Sequence, residues 1–455
     1  MNIIIAGDGE VGFHLAKALT ALDHNITVVD PHSELLKRLE SETDLLTITG
    51  DSTSPRVLAE ANVSECNLFI SVLHDENINL ITCILASKMG AKRTVCRVSN
   101  AELLTSQYRE VFGELGINEI VCPEHIAARE INNLLNMSVA TEFFDFSGGL
   151  LCMYVIRLES ESMLVGLRRG YYGEYEDGTL SSIDTVAAIR VVAVQRNGRT
   201  FIPHADFVFK QGDLVHMIAK GSQADSIKEI AGKKEVHIKN VAIVGGGRIG
   251  RFATKLLQER MNVTIVDMDR SRCEELAADL GGGVVVLNGD ATDNEFLDSE
   301  QLFNVDAFVS VTDSSETNVL TCLSAKKMGV GRTIALVENI GFINLSQEIG
   351  IDTIINKKLI TASYIARFIV KGNAERSKWL SGTNAEVIEL IVGKSSPATK
   401  KTIGNLGLPE GAIIGGIIRG RETILPTRDT QLQEMDKVVV FALPQSLAEA
   451  AKKLE

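Results

Sequence analysis

Short apolar, β-branched runs alternate along the chain with longer segments whose apolar positions recur every three or four residues. Ile3–Ala6, Ile26–Val29, Leu45–Thr49, Leu68–Val72, Thr94–Val98 and Glu119–Val121 read as strands, and the segments between them as helices beginning near Val11, Ser33, Pro55, Asn77, Ala101 and Glu124. Runs such as Ile3-Ile4-Ile5 are continuously apolar rather than alternating, so these strands are expected to be buried on both faces. Strands regularly separated by helices imply βαβ units and a parallel sheet.

Beyond residue 137 the pattern changes. Phe143-Phe144-Asp145-Phe146, Leu151–Ile156 and Val186–Val194 read as strands, and Asn197-Gly198 between Arg196 and Arg199 is a hairpin signal. Lys210–Ile218 and a helix over Ser222–Ala231 complete a small α+β unit. The polar stretch Gly232-Lys233-Lys234-Glu235 then separates two halves, because the chain repeats itself. Ile3–Gly12 recurs as Val241–Gly250, Asn25–Asp30 as Asn262–Asp267, Gly50-Asp51 as Gly289-Asp290, and Asn79–Cys83 as Asn318–Cys322. The second half ends in its own small unit, with strands over Ile413–Ile418, Ile424-Leu425 and Asp436–Phe441 and a helix from Gln445. The expected architecture is α/β, in two tandem repeats. Each is a doubly wound parallel sheet of Rossmann type followed by a small α+β domain, with boundaries at 1–136, 137–231, 238–372 and 373–455.

Composition narrows the classes of function. With 46 Lys and Arg against 59 Asp and Glu, the net charge of −13 disfavours nucleic acid as a partner. No apolar run approaches the roughly 20 residues of a membrane span, so a cytoplasmic protein is expected. The seven cysteines are scattered and never spaced as CxxC, and they read as small buried hydrophobes rather than as metal ligands or catalytic thiols.

Gly7, Gly9 and Gly12 form GxGxxG between a strand and a helix, with Asp30 following at the end of the next strand. In that setting Gly7 turns the chain, Gly9 admits a pyrophosphate and Gly12 lets helix and strand pack closely. The helix N-terminus supplies N–H groups to phosphate. A carboxylate at Asp30 accepts from ribose hydroxyls and repels a 2′-phosphate, so NAD(H) or ATP/ADP is expected and NADP is not. Gly245, Gly247, Gly250 and Asp267 repeat the motif, although the position of Arg97 falls on Leu336. The second motif is therefore either a weaker site or a packing element. Arg97 either reaches a phosphate or adenine, or pairs on the surface. Asp51 and Asp290 either hold a ligand at the sheet edge or cap the following helix.

On these motifs, together with Ser71-Val72-Leu73-His74 and Ser310-Val311-Thr312-Asp313, the chain resembles the RCK family, domains that regulate potassium conductance, in the duplicated form that serves Trk-type potassium uptake. The resemblance implies a regulator on the cytoplasmic face of a membrane potassium channel or transporter subunit, peripheral to the membrane. It also implies a homo-oligomeric ring, a tetramer, that changes shape as nucleotides bind. By the same resemblance Gly7, Asp8, Gly9, Glu10, Val11, Gly12, Asp30, Asp51, Leu73, His74 and Arg97 contact one nucleotide. Gly245, Gly246, Gly247, Arg248, Ile249, Gly250, Asp267, Asp290 and Thr312 contact a second. Relatives use the acid at Glu124 for cations, but the second copy offers Lys357-Lys358 there and no metal is expected.

The rival is an NAD-dependent oxidoreductase. That chemistry needs an acid/base beside the nicotinamide and a substrate domain. The eight histidines are dispersed, and the domain after each glycine motif is small, so no catalytic residue is assigned.

Overall fold

The computed structural model describes residues 1–7, 9–20, 24–137, 140–166, 189–197, 199–203, 207–232, 237–339, 341–366, 368, 374–379, 385–394 and 396–454. Asp8, Gly198, the start of the strand expected at 186–188 and Lys233-Lys234-Glu235 lie outside these residues. The chain forms two compact units, Met1–Ile126 with Lys357–Lys371, and Ala127–Asn356 with Gly372–Glu455.

The first unit is built on six strands: β1 (Asn2–Ala6), β2 (Asn25–Asp30), β3 (Leu46–Thr49), β4 (Leu68–Ser71), β5 (Thr94–Arg97) and β6 (Glu119–Val121). They pair in parallel in the order β3-β2-β1-β4-β5-β6. Ile3, Ile4 and Ile5 are buried at the centre, as continuous apolar strands require. The strand order reverses between β1 and β4, which opens a crevice at the carboxyl ends of the strands. The helix expected from Ala101 is only a 3₁₀ turn over Ala101–Leu104, capped by Asn100, and Thr105 is extended before the α-helix Ser106–Glu114 starts. The helix Lys357–Ala366 belongs to this unit and packs on the helix Glu10–Thr20. Beyond it, the carbonyl of Phe368 accepts from Arg93 at 3.2 Å.

The second unit holds three sheets. β7 (Glu142–Phe146), β8 (Leu151–Arg157), β9 (Ile189–Arg196), β10 (Arg199–Phe201) and β11 (Leu214–Lys220) form an antiparallel sheet in the order β10-β9-β11-β8-β7. β12 (Asn240–Val244), β13 (Asn262–Asp267), β14 (Val284–Asn288), β15 (Ala307–Ser310), β16 (Arg332–Leu336) and β17 (Thr353–Ile355) repeat the parallel order of the first unit. β18 (Ala374–Trp379), β19 (Glu386–Ile391), β20 (Ala412–Arg419), β21 (Glu422–Ile424) and β22 (Lys437–Ala442) close the chain in the order β18-β19-β22-β20-β21, followed by the helix Pro444–Leu454. This last order is that of β7–β11 element for element, so the two small sheets are copies as well.

The hairpin expected at Asn197-Gly198 forms, with Arg196 paired to Arg199 and Asn197 at φ +52°. In both small sheets an arginine at the end of this hairpin strand grips a buried aspartate with two hydrogen bonds. Arg196 meets Asp213 at 2.6 and 2.7 Å, and Arg419 meets Asp436 at 2.9 and 2.8 Å. Bidentate, charge-assisted pairs of this kind fix the strand end in one geometry.

Met153, Val155 and Val192 of the first small sheet share one apolar core with Val387, Val439 and Phe441 of the second. His216 on β11 is buried, with neither ring nitrogen hydrogen-bonded, and its ring centroid lies 6.1 Å from that of Phe441. Burial drives its pKa down to about 4. The unfolded chain therefore takes up the proton first as pH falls. The His216 contribution is whole above about pH 6.5 and declines towards pH 4 by about 3 kcal/mol. Urea midpoints measured across this range should fall with pH in the wild type, and less steeply in His216→Leu; equal slopes would place the titration elsewhere.

Candidate nucleotide sites

Each site starts at the turn out of the central strand. Gly7 and Gly245 have φ of +112° and +103°, in the left-handed region that a side chain would strain. A Cβ on Gly7 would also lie 3.0 Å from the Leu73 nitrogen, and one on Gly245 would lie 2.9 Å from the Thr312 nitrogen. The third glycine has the packing role expected of it. A Cβ on Gly12 would sit 1.9 Å from the Gly7 carbonyl oxygen, and one on Gly250 would sit 1.9 Å from that of Gly245. The helices Glu10–Thr20 and Arg248–Leu257 thus begin against the turn, and the free N–H groups of their first turns open at the crevice.

The facing wall is set by a buried asparagine that recurs in both copies. Asn79 Oδ1 accepts from Ser71 Oγ at 2.8 Å and the Leu73 nitrogen at 2.9 Å, while its Nδ2 donates to the carbonyls of Leu73 and Arg97 at 2.9 and 3.0 Å. Asn318 makes the same four bonds to Ser310, Thr312, Thr312 and Leu336, each at 2.9 Å. Both asparagines are essentially inaccessible to solvent. A fully satisfied buried amide holds the loop after the fourth strand and the end of the fifth in one register.

In the first copy this brings Leu73, His74 and Arg97 to the mouth of the glycine turn. A Cβ on Gly9 would lie 3.8 Å from His74 Nε2. Arg97 donates to the Leu73 carbonyl at 3.3 Å, and its Nε is buried with no partner. Asp30 is buried at the end of β2, where Oδ1 accepts from the His32 amide at 2.8 Å and approaches its Nδ1 at 2.9 Å. Val11 sits in the first helical turn; of Asp8, and of the Glu10 side chain, the structure gives no description.

In the second copy Gly245, Gly247, Asp267, Asp290 and Thr312 line one cavity of about 360 Å³. Gly246 acts through its N–H, which donates to Asp267 Oδ2 at 2.7 Å. Arg248 is exposed at the helix start, and Ile249 and Gly250 are buried beneath the turn, so these three do not line the cavity.

Asp51 and Asp290 do not cap the following helix, because each accepts from the amide and hydroxyl of the threonine two residues on, all at 2.8 Å. These bonds hold both carboxyls below their ordinary pKa. The N-cap positions are Ser54, whose side chain makes no capping bond, and Asp293, whose carboxylate accepts from the Glu295 and Phe296 amides. Glu124 is buried with Lys357 Nζ 3.6 Å from Oε1, so an ammonium stands beside this carboxylate.

Sequence reasoning missed Arg272 and Asp313, which also line the second cavity. Arg272 donates to Asp267 Oδ2 at 3.1 Å, and this bond raises its pKa. The available signal was an arginine in the first turn of the helix that follows the strand-end acid.

Glycine turn, helix N-terminus and strand-end acid together form a cradle at the crevice, of the kind in which this fold places nucleotide phosphates. Residues 3–123 and 241–357 each match the TrkA-N domain, and residues 387–455 match the TrkA-C domain. The chain belongs to the TrkA family. The Trk system potassium uptake protein TrkA homolog of Archaeoglobus fulgidus is 32% identical over 97% of both chains. The TrkA protein of Haemophilus influenzae is 29% identical over 97% of this chain and 95% of its own. Among solved structures the GsuK RCK domain shares the fold at 18% identity, with a TM-score of 0.59 over 97% of this chain and 92% of that one. The GsuK channel bound to NAD aligns with the same identity and score, over 97% of this chain and 76% of its own. The two TrkA-N matches coincide with the two parallel sheets and the TrkA-C match with β19–β22. The sheet β7–β11 lies outside the matches; its strand order and its Arg196–Asp213 grip mark it as the partner copy.

Two substitutions test how this TrkA-family cradle is held. Gly250→Ala should destabilise the protein by about 3 kcal/mol or more, because the Cβ meets backbone that cannot rotate away. Asn318→Ala removes the partner of the Thr312 amide and of the Thr312 and Leu336 carbonyls and should lower stability by about 2–4 kcal/mol. Denaturant titration reads both; a change under about 0.5 kcal/mol would mean that the site relaxes freely.

Proposed function

We propose that this chain is the nucleotide-sensing regulatory subunit of a Trk-type potassium-uptake system, and that both parallel sheets carry nucleotide sites. The observation that carries the reading is the duplicated cradle, a left-handed glycine against the loop after the fourth strand, with an acid at the end of the second. Family membership supplies the potassium-uptake context, and the related fold of the GsuK channel takes NAD. The ligand is NAD(H) or ATP/ADP, held by the residues expected at each site. The segments 1–136, 137–231, 238–372 and 373–455 are the working division into two sensor domains and two small domains.

Regulation in this reading is linkage. A nucleotide moves the membrane subunit only by its differential affinity for the conformations that open and close it. The asparagine-bolted loop is the element through which a bound nucleotide would bias the fold, since ligand, glycine turn and fifth strand meet there. No helix among the described residues is long and apolar enough to cross a membrane, so the proposed place is the cytoplasmic face, reached through the membrane partner.

A homo-oligomeric ring, a tetramer, fits the apolar side chains left exposed at matching places. Ile78 and Ile81 lie on the helix Glu76–Lys88 and Leu320 on its counterpart Ser315–Lys327; Phe342, Leu345 and Ile349 lie close together in and after the helix Gly341–Glu348. Exposed apolar groups in such number call for a partner surface. The role is non-enzymatic. The rival oxidoreductase draws no support from relatives named for potassium uptake.

Calorimetric titration of the full chain with NAD⁺, NADH, NADPH, ATP and ADP tests the proposal. Saturable binding without turnover is expected, weakened about tenfold or more in Asp30→Ala and Asp267→Ala, each for its own site. Absence of saturable binding to any of the five would reduce both glycine motifs to packing elements.

A further inference from the structure

The two cradles share a backbone but not a charge. Because Asn79 and Asn318 make the same bonds, they align the copies residue by residue: Leu73 with Thr312, His74 with Asp313, and Arg97 with Leu336. At the end of the second strand, the position five beyond the acid is Leu35 in the first copy and Arg272 in the second. Each of these exchanges alters the field a nucleotide would feel. The first copy carries its cation, Arg97, at the end of the fifth strand, with a buried, unpartnered Nε and a hydrogen bond to the Leu73 carbonyl. In the second copy that place is held by Leu336, which is buried and uncharged, and the neighbouring position is an exposed carboxylate, Asp313.

The second cavity is lined by Asp267, Asp290 and Asp313 against one guanidinium, Arg272. Arg272 is bonded to Asp267 and also feels the charge of Asp313, so a single guanidinium is shared among the three carboxylates of the lining and the pocket stays net negative. A dinucleotide on this fold crosses the glycine turn from the second strand to the fourth and fifth, which delivers its second base to the Thr312–Asp313 side. A polyphosphate tail or a neutral dihydronicotinamide would bring no positive charge to Asp313. The oxidised nicotinamide ring is cationic and would.

We infer that the second pocket selects the oxidised dinucleotide, NAD⁺, over NADH and ATP, with Asp313 as the residue that reads the charge of the nicotinamide ring. The first pocket, with His74 and Arg97 at the same place, accepts the more anionic ligands. A chain of this design compares two nucleotide signals at once, one of them the redox state of the dinucleotide pool. This rests on the proposal that both pockets bind nucleotide.

The test uses the full-length protein and equilibrium titrations with NAD⁺, NADH and ATP. The component of binding that Asp267→Ala weakens reports the second pocket. There NAD⁺ should bind about fivefold tighter than NADH, the size of one charge pair about 4 Å apart in a water-like dielectric, as suits an exposed carboxylate. Asp313 is exposed, so Asp313→Asn and Asp313→Lys will fold. The first should bring the NAD⁺ to NADH ratio close to one, and the second should invert it and raise ATP affinity. If the ratio is near one in the wild type, or unmoved by both variants while nucleotide still binds, the charge assignment falls and the sensor reading stands. If the second pocket binds none of the three ligands, both fall.

Discussion

The rest of each parallel sheet is arranged around one amide side chain. Asn79 and Asn318 are buried without a charge, and each closes its hydrogen bonds on backbone or hydroxyl groups from two separate segments of the chain, the end of the fourth strand with its loop and the end of the fifth. An apolar residue there would leave the loop after the fourth strand with orphaned backbone groups, and a charged one could not be satisfied. The loop is thereby kept against the glycine turn, where no Cβ fits. Site geometry follows from this: the turn, the loop and the strand end are one rigid corner.

Duplication keeps such a corner and lets its surroundings drift. Gly7 and Gly245, or Gly12 and Gly250, face the same steric demand and have stayed the same. Side chains that only look into the crevice have no such demand, and there the copies differ: His74 against Asp313, Arg97 against Leu336, Leu35 against Arg272. The small sheets behave alike. Arg196 with Asp213 and Arg419 with Asp436 preserve one bidentate grip, while the hairpin between them changes from Asn197-Gly198 to Gly420-Arg421.

Much of this was legible in the chain. Continuous apolar runs marked the strands of both parallel sheets, and the glycine spacing with Asp30 and Asp267 marked where the crevice would open. What was illegible depended on neighbours distant in sequence. β18 is polar and lacks strand alternation, so it emerges only from pairing with β19. Asp51 and Asp290 looked like helix caps because local sequence cannot say which of several nearby acids and hydroxyls closes the turn and which starts the helix. Asn79 was visible as a landmark of the repeat. Its role depends on the fourth and fifth strands being adjacent, a tertiary fact. Arg272 and Asp313 likewise gain meaning only once they line one cavity.

The helix Lys357–Ala366 follows β17, yet it is counted with the unit that begins at Met1. That unit is thus discontinuous in sequence: its last element is translated only after the second parallel sheet. No fragment that stops short of that helix contains the whole of it. A gene doubled in this way has lost the option of shedding its second copy, since deletion would remove a wall of the first.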